Sequence, residues 1–197
     1  IKMTGKNYTG NNKGRNIERY TPYSMTEQFL KYHNEIDFNC SVLEPCCGDG
    51  AIVKILKKYF KEDKIICYDI KDGEDKNFLL NEYNKYDYII TNFPFKNINR
   101  FILKGFDNCT KQLCVLMKTD FLSGIERYLT VYNNKKNFRL KYIYEFVRKP
   151  LLDNFVRDDG KYKTGIEAYC WSVFEYGYKG EPIIRWINNN DWVIRKK

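Results

Sequence analysis

An α/β fold with a mostly parallel sheet is what this 197-residue sequence predicts, and three observations carry that expectation. Short apolar runs suited to buried strands alternate with stretches of helical periodicity, the pattern of strand–helix–strand units. The first run, closing on Val42 and Leu43, leads into a turn with Gly48 and Gly50 and then into a helical repeat. The second run ends in Asp69, about 20 positions beyond that turn, where open α/β sheets place a ribose acceptor.

Taken in order, residues 1–19 are rich in Asn and Gly and carry Lys2, Lys6, Lys13, Arg15 and Arg19, which reads as a basic, flexible N-terminal tail. Residues 20–197 then form one domain, since 197 residues with 43% hydrophobic content suffice for one buried core and are short for two. Ser24-Met25-Thr26-Glu27 has the form of a capping box and predicts a helix start. Over residues 51–60, Ile52, Ile55, Leu56 and Tyr59 recur at helical spacing with Lys54, Lys57 and Lys58 opposite them. Residues 65–68 read as the second strand, 86–91 as the third, 99–106 as a helix, 112–117 as a strand and 127–131 as part of a helix. Residues 142–147 and 169–175 are alternating or aromatic-rich and read as an antiparallel pair closing the sheet. The long segment between them, 148–166, is the candidate for target contact, because loops of that length inside a domain are usually functional or disordered.

Several positions carry chemistry. Gly48 and Gly50 permit a tight turn that brings backbone close to a ligand, but the third glycine of a dinucleotide fingerprint and the Gly-Lys-Ser/Thr of a phosphate loop are missing. Glu44 at the strand end would repel a phosphate and suits a cationic amino acid with adenosine beside it. Asp69 is placed to accept both hydroxyls of a ribose, and Asn77-Phe78-Leu79 offers an amide and an aromatic face to an adenine ring. Thr91-Asn92-Phe93-Pro94-Phe95 follows the apolar run Tyr88-Ile89-Ile90. There the Asn92 side-chain oxygen and the Phe93 carbonyl can accept two N–H bonds from a flat aromatic amine, while the Phe95 ring stacks on its face, as enzymes acting on a flipped base require. By itself such a segment is also an ordinary turn; its place after the glycine turn and Asp69 points to adenine's 6-amino group.

These motifs, in this order, resemble the class I S-adenosylmethionine-dependent methyltransferases, and among them the compact phage- or mobile-element-type DNA adenine (6-amino) methyltransferases. Glu44-Pro45-Cys46-Cys47-Gly48-Asp49-Gly50 matches the cofactor loop, and Thr21-Pro22 an N-terminal Thr-Pro that closes over the methionine end of the cofactor. The resemblance implies a Rossmann-like, mostly parallel seven-stranded sheet with a closing antiparallel strand pair. It implies S-adenosyl-L-methionine held by Thr21, Pro22, Glu44, Cys46, Gly48, Gly50, Asp69, Ile70, Asn77, Phe78 and Asn92, with Asn92, Phe93, Pro94 and Phe95 as the catalytic turn. Asn77 stands where the family usually has Asp, and Phe93 where it has Pro. The carbonyl at Phe93 is kept and only the fixed dihedral is lost. Ribosomal-RNA adenine dimethyltransferases use an Asn-aliphatic-Pro-aromatic turn, so RNA stays open as a substrate. A catalytically silent, nucleic-acid-binding subunit stays open too.

A formal net charge of +9 favours a polyanionic partner. Lys135, Lys136, Arg139, Lys141, Arg148 and Lys149 cluster in the second half, and together with Lys96 and Phe155 they are candidate nucleic-acid contacts, duplex DNA being the expected substrate. No separate target-recognition domain is visible, so specificity should be short, relaxed or supplied by a protein partner, as in a restriction-modification system. Seven cysteines without a Cys-x-x-Cys, beside the single His33, indicate neither a disulfide framework nor a zinc site. They suit a reducing cytoplasm, that of a host cell if the protein is viral. Cys46 after Pro45 is the motif of a cytosine-directed nucleophile, but that group belongs after the fourth strand, where this chain has Phe95. No apolar run approaches the roughly 20 residues of a membrane span, and no leader is seen.

Overall fold

The computed structural model describes residues 21–150 and 165–189. Seven strands form one sheet: β1 (Val42–Glu44), β2 (Ile65–Cys67), β3 (Tyr86–Thr91), β4 (Cys109–Lys118), β5 (Phe138–Phe146), β6 (Tyr169–Tyr176) and β7 (Ile183–Ile187), in the order β2-β1-β3-β4-β6-β5-β7. β1 pairs parallel with β2 and β3, β3 with β4, and β5 with β7, whereas β6 is antiparallel to both β4 and β5. It follows that β6 alone runs against the other strands. This is the mostly parallel sheet with a closing antiparallel pair that the sequence leads one to expect.

One local expectation is corrected, one is refined and one strand is added. The first helix, α1 (Tyr23–Tyr32), has Pro22 as its N-cap and no side-chain cap, with the Met25 N–H donating to the Pro22 carbonyl at 3.0 Å. Pro22 fixes the entry, so Ser24 falls inside the first turn and the Ser24–Glu27 box does not form. The helix at 127–131 is a short α-turn, α4 (Ile125–Arg127), running into a π-turn at Tyr128–Tyr132. β7 is an edge strand in which Ile183, Ile184 and Trp186 are exposed; its Ile-Ile-Arg-Trp-Ile run is rich in strand formers, with Arg185 interrupting the apolar residues. The basic residues of the tail, and Phe155 with most of the 148–166 segment, lie outside the described residues.

Alternation along the strands supplies two apolar faces. Val42, Tyr88, Ile90, Cys114, Leu116 and Trp171 pack beneath Met25, Phe29 and Leu30 of α1 and Ile52, Ile55 and Leu56 of α2 (Ala51–Leu56). Leu43, Ile89, Leu113, Val115, Met117 and Phe174 pack on the other side against Ile98, Ile102 and Phe106 of α3 (Ile98–Asn108). Trp171 is fully buried, stacks on Phe29 at 4.5 Å and donates its indole N–H to the Met25 carbonyl at 3.2 Å. Each such ring contributes on the order of 1.5–3 kcal/mol through burial.

Among the buried polar groups of this core, His33 sits in a hydrogen-bonded network. Gln112 donates its amide N–H to Glu175 at 2.7 Å, which turns its carbonyl oxygen toward His33 Nε2 at 2.8 Å. Nε2 therefore carries the proton and Nδ1 accepts from the Tyr144 hydroxyl at 2.9 Å. Burial lowers the pKa of His33, the Gln112 bond and nearby Glu35 oppose this, and Arg185 and Lys141 reinforce it. Because the folded value lies below the unfolded one, the unfolded chain binds the proton first, and stability falls as pH drops below about 6.5. Between pH 7.5 and 5.5 the parent should lose up to about 1.4 kcal/mol relative to His33→Gln, the most that one unit below the unfolded value can yield. Paired denaturant titrations measure it, the variant cancelling the titration of other groups.

The connection order fixes where a ligand can sit. After β1 the chain lays β2 on one side, then returns to lay β3 on the other. A crevice opens at the carboxyl ends of β1 and β3, the switch point at which open α/β sheets bind ligands.

Candidate active site

Glu44 closes β1 at that crevice and is fully buried. Its Oε1 accepts from the Thr91 hydroxyl at 2.6 Å and from the Cys46 N–H at 3.0 Å, while Oε2 has no partner among the described residues. Burial pushes its pKa up to about 8, with a small addition from Asp69 and partial relief from the two hydrogen bonds. A buried carboxylate with one oxygen unused is costly unless a donor arrives from outside the chain.

The turn after Glu44 is knitted to the end of β2. Cys47 N–H donates to the Tyr68 carbonyl at 3.0 Å, and Gly48 N–H to Asp69 Oδ2 at 2.7 Å. Gly48 and Gly50 sit at φ +56° and +80°, and a Cβ added at either would meet nothing within 4 Å. The backbone therefore requires glycine there, and the space above it is open. Asp69 also caps the next turn by accepting the Lys71 N–H at 3.0 Å, so each of its carboxylate oxygens already holds one backbone donor and keeps a further lone pair. Cys46 has its thiol pKa raised strongly by burial and then by Glu44 and Asp69. That suppresses the thiolate and removes the reading of Cys46 as a nucleophile.

At the end of β3, the Asn92 amide N–H donates to the Thr21 hydroxyl at 3.0 Å, and its Oδ1 is buried without a partner among the described residues. Phe93 is only 1% exposed, its ring stacking on Phe78 at 5.8 Å and on Phe101 at 5.1 Å. Pro94 and Lys96 are exposed. Phe95 is half-buried, with the edge of Phe121 at 5.5 Å, Tyr169 at 6.1 Å and Lys118 Nζ 5.8 Å from its ring. Phe93 thus has a packing role that the sequence does not reveal. Phe93→Ala should cost about 3–5 kcal/mol, and Phe93→Pro, which restores the rigid dihedral, a loss of the same order. Denaturant titration of both variants checks this.

The structure brings together Thr21, Pro22, Glu44, Cys46, Gly48, Gly50, Asp69 and Asn92. Ile70 is 58% exposed beside Asp69 and leaves an apolar side chain at the crevice rim. The aromatic face expected of Phe78 is not offered: the ring is 2% exposed and lies in the core against Phe93 and Tyr83. Asn77 spends its side-chain oxygen on the Leu79 N–H at 3.1 Å. Lys135, Lys136 and Arg139 lie before and at the start of β5, at the opposite end of the sheet from Asn92, with Lys136 paired to Asp107. Parallel strands put the start of β5 and the end of β3 at opposite edges. Arg148 and Lys149 follow the end of β5 and lie on the site's side, where Lys149 Nζ donates to the Ile166 carbonyl at 3.0 Å. Sequence reading missed Thr91, whose signal is a hydroxyl closing the apolar run Tyr88-Ile89-Ile90 of β3. It also missed Lys118 and Tyr169, which the β4–β6 register sets opposite each other, and Phe121 of the turn that follows β4. Among the described residues no group of three or more His, Cys, Asp or Glu could hold a metal, all cysteines are free, and no helix is long and apolar enough to cross a membrane.

No family model matches the chain, and no curated protein matches it by sequence. Solved structures match its fold. One, from Listeria monocytogenes and assigned to the class I S-adenosylmethionine-dependent methyltransferases, superposes with a TM-score of 0.59 at 14% identity over 89% of this chain and 68% of its own. A modification subunit assigned to a type I restriction enzyme of Vibrio vulnificus gives 0.55 at 15% identity over 91% of this chain, which spans 48% of that subunit. A protein of Pyrococcus horikoshii assigned as an RNA methyltransferase gives 0.51 at 12% identity, over 78% of this chain and 82% of its own. The chain has the Rossmann-like fold of class I methyltransferase structures. Since one fold hosts many activities, function is argued from the site.

Proposed function

We propose that this chain is an S-adenosylmethionine-dependent methyltransferase acting on the 6-amino group of adenine in DNA. The observation that carries the reading is the buried Oδ1 of Asn92, unpartnered among the described residues and just past the end of β3, with the Phe93 carbonyl next in the chain as the second acceptor. An aromatic amine presents two N–H donors, and two acceptors here match them.

The cofactor's demands fit the other half of the crevice. Glu44 Oε2 lacks a donor and would take the cofactor's ammonium. The open space over Gly48 and Gly50 admits its body, and Asp69 retains lone pairs for ribose hydroxyls. Ile70 would cover the adenine ring, and Thr21 and Pro22 would close over the methionine end. Two carboxylates, Glu44 and Asp69, line this half of the crevice, as a cationic ligand requires and a phosphate does not. When bound, S-adenosylmethionine supplies an electrophilic methyl group on a sulfonium. Asn92 and the Phe93 carbonyl hold the amine with its lone pair toward that group, and Phe95 stacks on the base; most of the rate comes from this alignment.

A nucleic-acid substrate is favoured by the net charge of +9 and by Lys96, Lys118, Arg148 and Lys149 past the carboxyl ends of β3, β4 and β5, and the likeness to a restriction-enzyme modification subunit favours DNA. RNA is the second reading, favoured by the apolar residue at position 93. Transfer of a radiolabelled methyl group to duplex DNA, single-stranded DNA and structured RNA separates them. Incorporation into DNA supports the proposal; incorporation into RNA alone replaces it with the second reading. Cofactor binding without transfer to any of the three leaves a silent binding subunit.

A further inference from the structure

A second cavity lies on the sheet face that carries α3, between the π-turn Tyr128–Tyr132 and the loop leading into β7. Its volume is about 480 Å³, inside the roughly 300–1,000 Å³ range of small-ligand sites. Leu140 and Ile143 of β5 make an apolar floor, Tyr128 and Tyr178 flank it, and Arg139 and Lys179 bring two cations to it. These groups are held in place. Arg139 Nη1 donates to the carbonyls of Asn134 at 2.8 Å and Phe138 at 2.9 Å, Lys179 Nζ to Asn137 Oδ1 at 2.8 Å, and the Tyr178 hydroxyl to the Glu181 carbonyl at 2.8 Å. Glu181 is the one carboxylate in the lining, and Lys135 and Lys136 stand on the turn just before Arg139.

The cavity adjoins the proposed target pocket. Leu122 lines it, and the preceding residue, Phe121, meets the Phe95 ring at 5.5 Å. Tyr132 also ties the two together, donating its hydroxyl to the Phe121 carbonyl at 2.8 Å.

We propose that this cavity holds a nucleotide of the nucleic-acid substrate beyond the target adenine, its base on the Leu140–Ile143 floor against Tyr128 and Tyr178, its phosphates on Arg139 and Lys179 at the end farther from Asn92. Flat apolar space bounded by aromatic rings suits any base, and two cations on the same cavity suit a backbone that a neutral ligand does not have. The Lys135, Lys136 and Arg139 cluster, remote from Asn92, thereby becomes the far end of a track starting at Phe95. The inference rests on the nucleic-acid reading given above.

The test is fluorescence anisotropy of a short labelled single-stranded oligodeoxynucleotide containing adenine, titrated with salt, with cofactor calorimetry as the control for folding. Arg139→Gln combined with Lys179→Gln should weaken binding roughly tenfold and reduce the slope of log affinity against log salt by about 1–2. Tyr128→Ala, at a 60% exposed position that does not endanger the fold, should weaken binding roughly five- to a hundredfold with little change of slope. Variants that bind like the parent, with the same slope, overturn the inference while leaving the methyl-transfer reading intact. Weakened binding by variants of a parent that transfers no methyl group upholds the inference and removes that reading. A parent that binds no nucleic acid at low salt overturns both.

Discussion

An Asn92→Ala protein is expected to lose at least about 10²-fold in single-turnover methyl transfer, the scale of penalty for a misplaced reacting group, while its cofactor affinity changes only a few fold. The side chain touches the proposed target side of the crevice: one end is anchored on Thr21, and Oδ1 is buried and unpartnered among the described residues. Removing it leaves the sulfonium side, built by Glu44, the glycine turn and Asp69, in place. Asn92→Asp keeps an acceptor at the same position and should retain part of the activity. Rapid-quench measurement of all three proteins at saturating cofactor checks this. Equal rates for parent and Asn92→Ala would make the turn a structural feature only.

The second large effect is expected at Glu44. Burial raises its folded pKa to about 8, above the ordinary range of a glutamate carboxyl. The unliganded protein therefore holds a proton there across neutral pH, and its stability declines as pH rises from the unfolded value toward the folded one. An ammonium ligand needs the carboxylate, so binding releases that proton, and affinity should rise close to tenfold per pH unit below about 8. Above that it should fall again as the ligand's own α-amino group, with a pKa of about 7.7–8.0, loses its charge. Glu44→Gln should bind about 10- to 100-fold more weakly near pH 8, the cost of losing a hydrogen bond to a charged group, and its rising limb should vanish. The unliganded variant should melt no lower than the parent at pH 8.5, because a buried charge with one unused oxygen is removed. Calorimetry and thermal melts across pH 6–9 test both halves.

Those parts of the molecule whose role depends on local chemistry were legible before the fold. The Gly48 and Gly50 turn, the strand-end Asp69 and the apolar run into Asn92 are each encoded within a few residues, and the structure assembles them at the switch point between β1 and β3. What the sequence hid depends on register and burial. Phe93 looks like an apolar stand-in for proline, yet its ring is a core residue shared by Phe78 and Phe101, and the same packing withdraws Phe78 from the crevice. Clustering along the chain put Lys135, Lys136 and Arg139 with Arg148 and Lys149, but the nine residues of β5, at about 3.3 Å each, carry the two groups to opposite edges of the sheet. Lys118 and Tyr169 meet Phe95 because β4 and β6 pair in one register, and Phe121 because the turn after β4 folds back over that ring. β7 escaped notice because its run is only five residues long and broken by Arg185, which blurs both strand periodicities.

The identity of the methylated atom tests the central claim most directly. Adenine-containing DNA incubated with methyl-labelled cofactor and the parent protein, then digested to nucleosides and separated by chromatography with mass detection, should yield label in N6-methyldeoxyadenosine. In the same digest made with Asn92→Ala over the same short incubation, the label should fall by about 10²-fold or more. Label found in a cytosine product, in protein, or at a ring nitrogen of adenine would contradict an amine held between Asn92 Oδ1 and the Phe93 carbonyl.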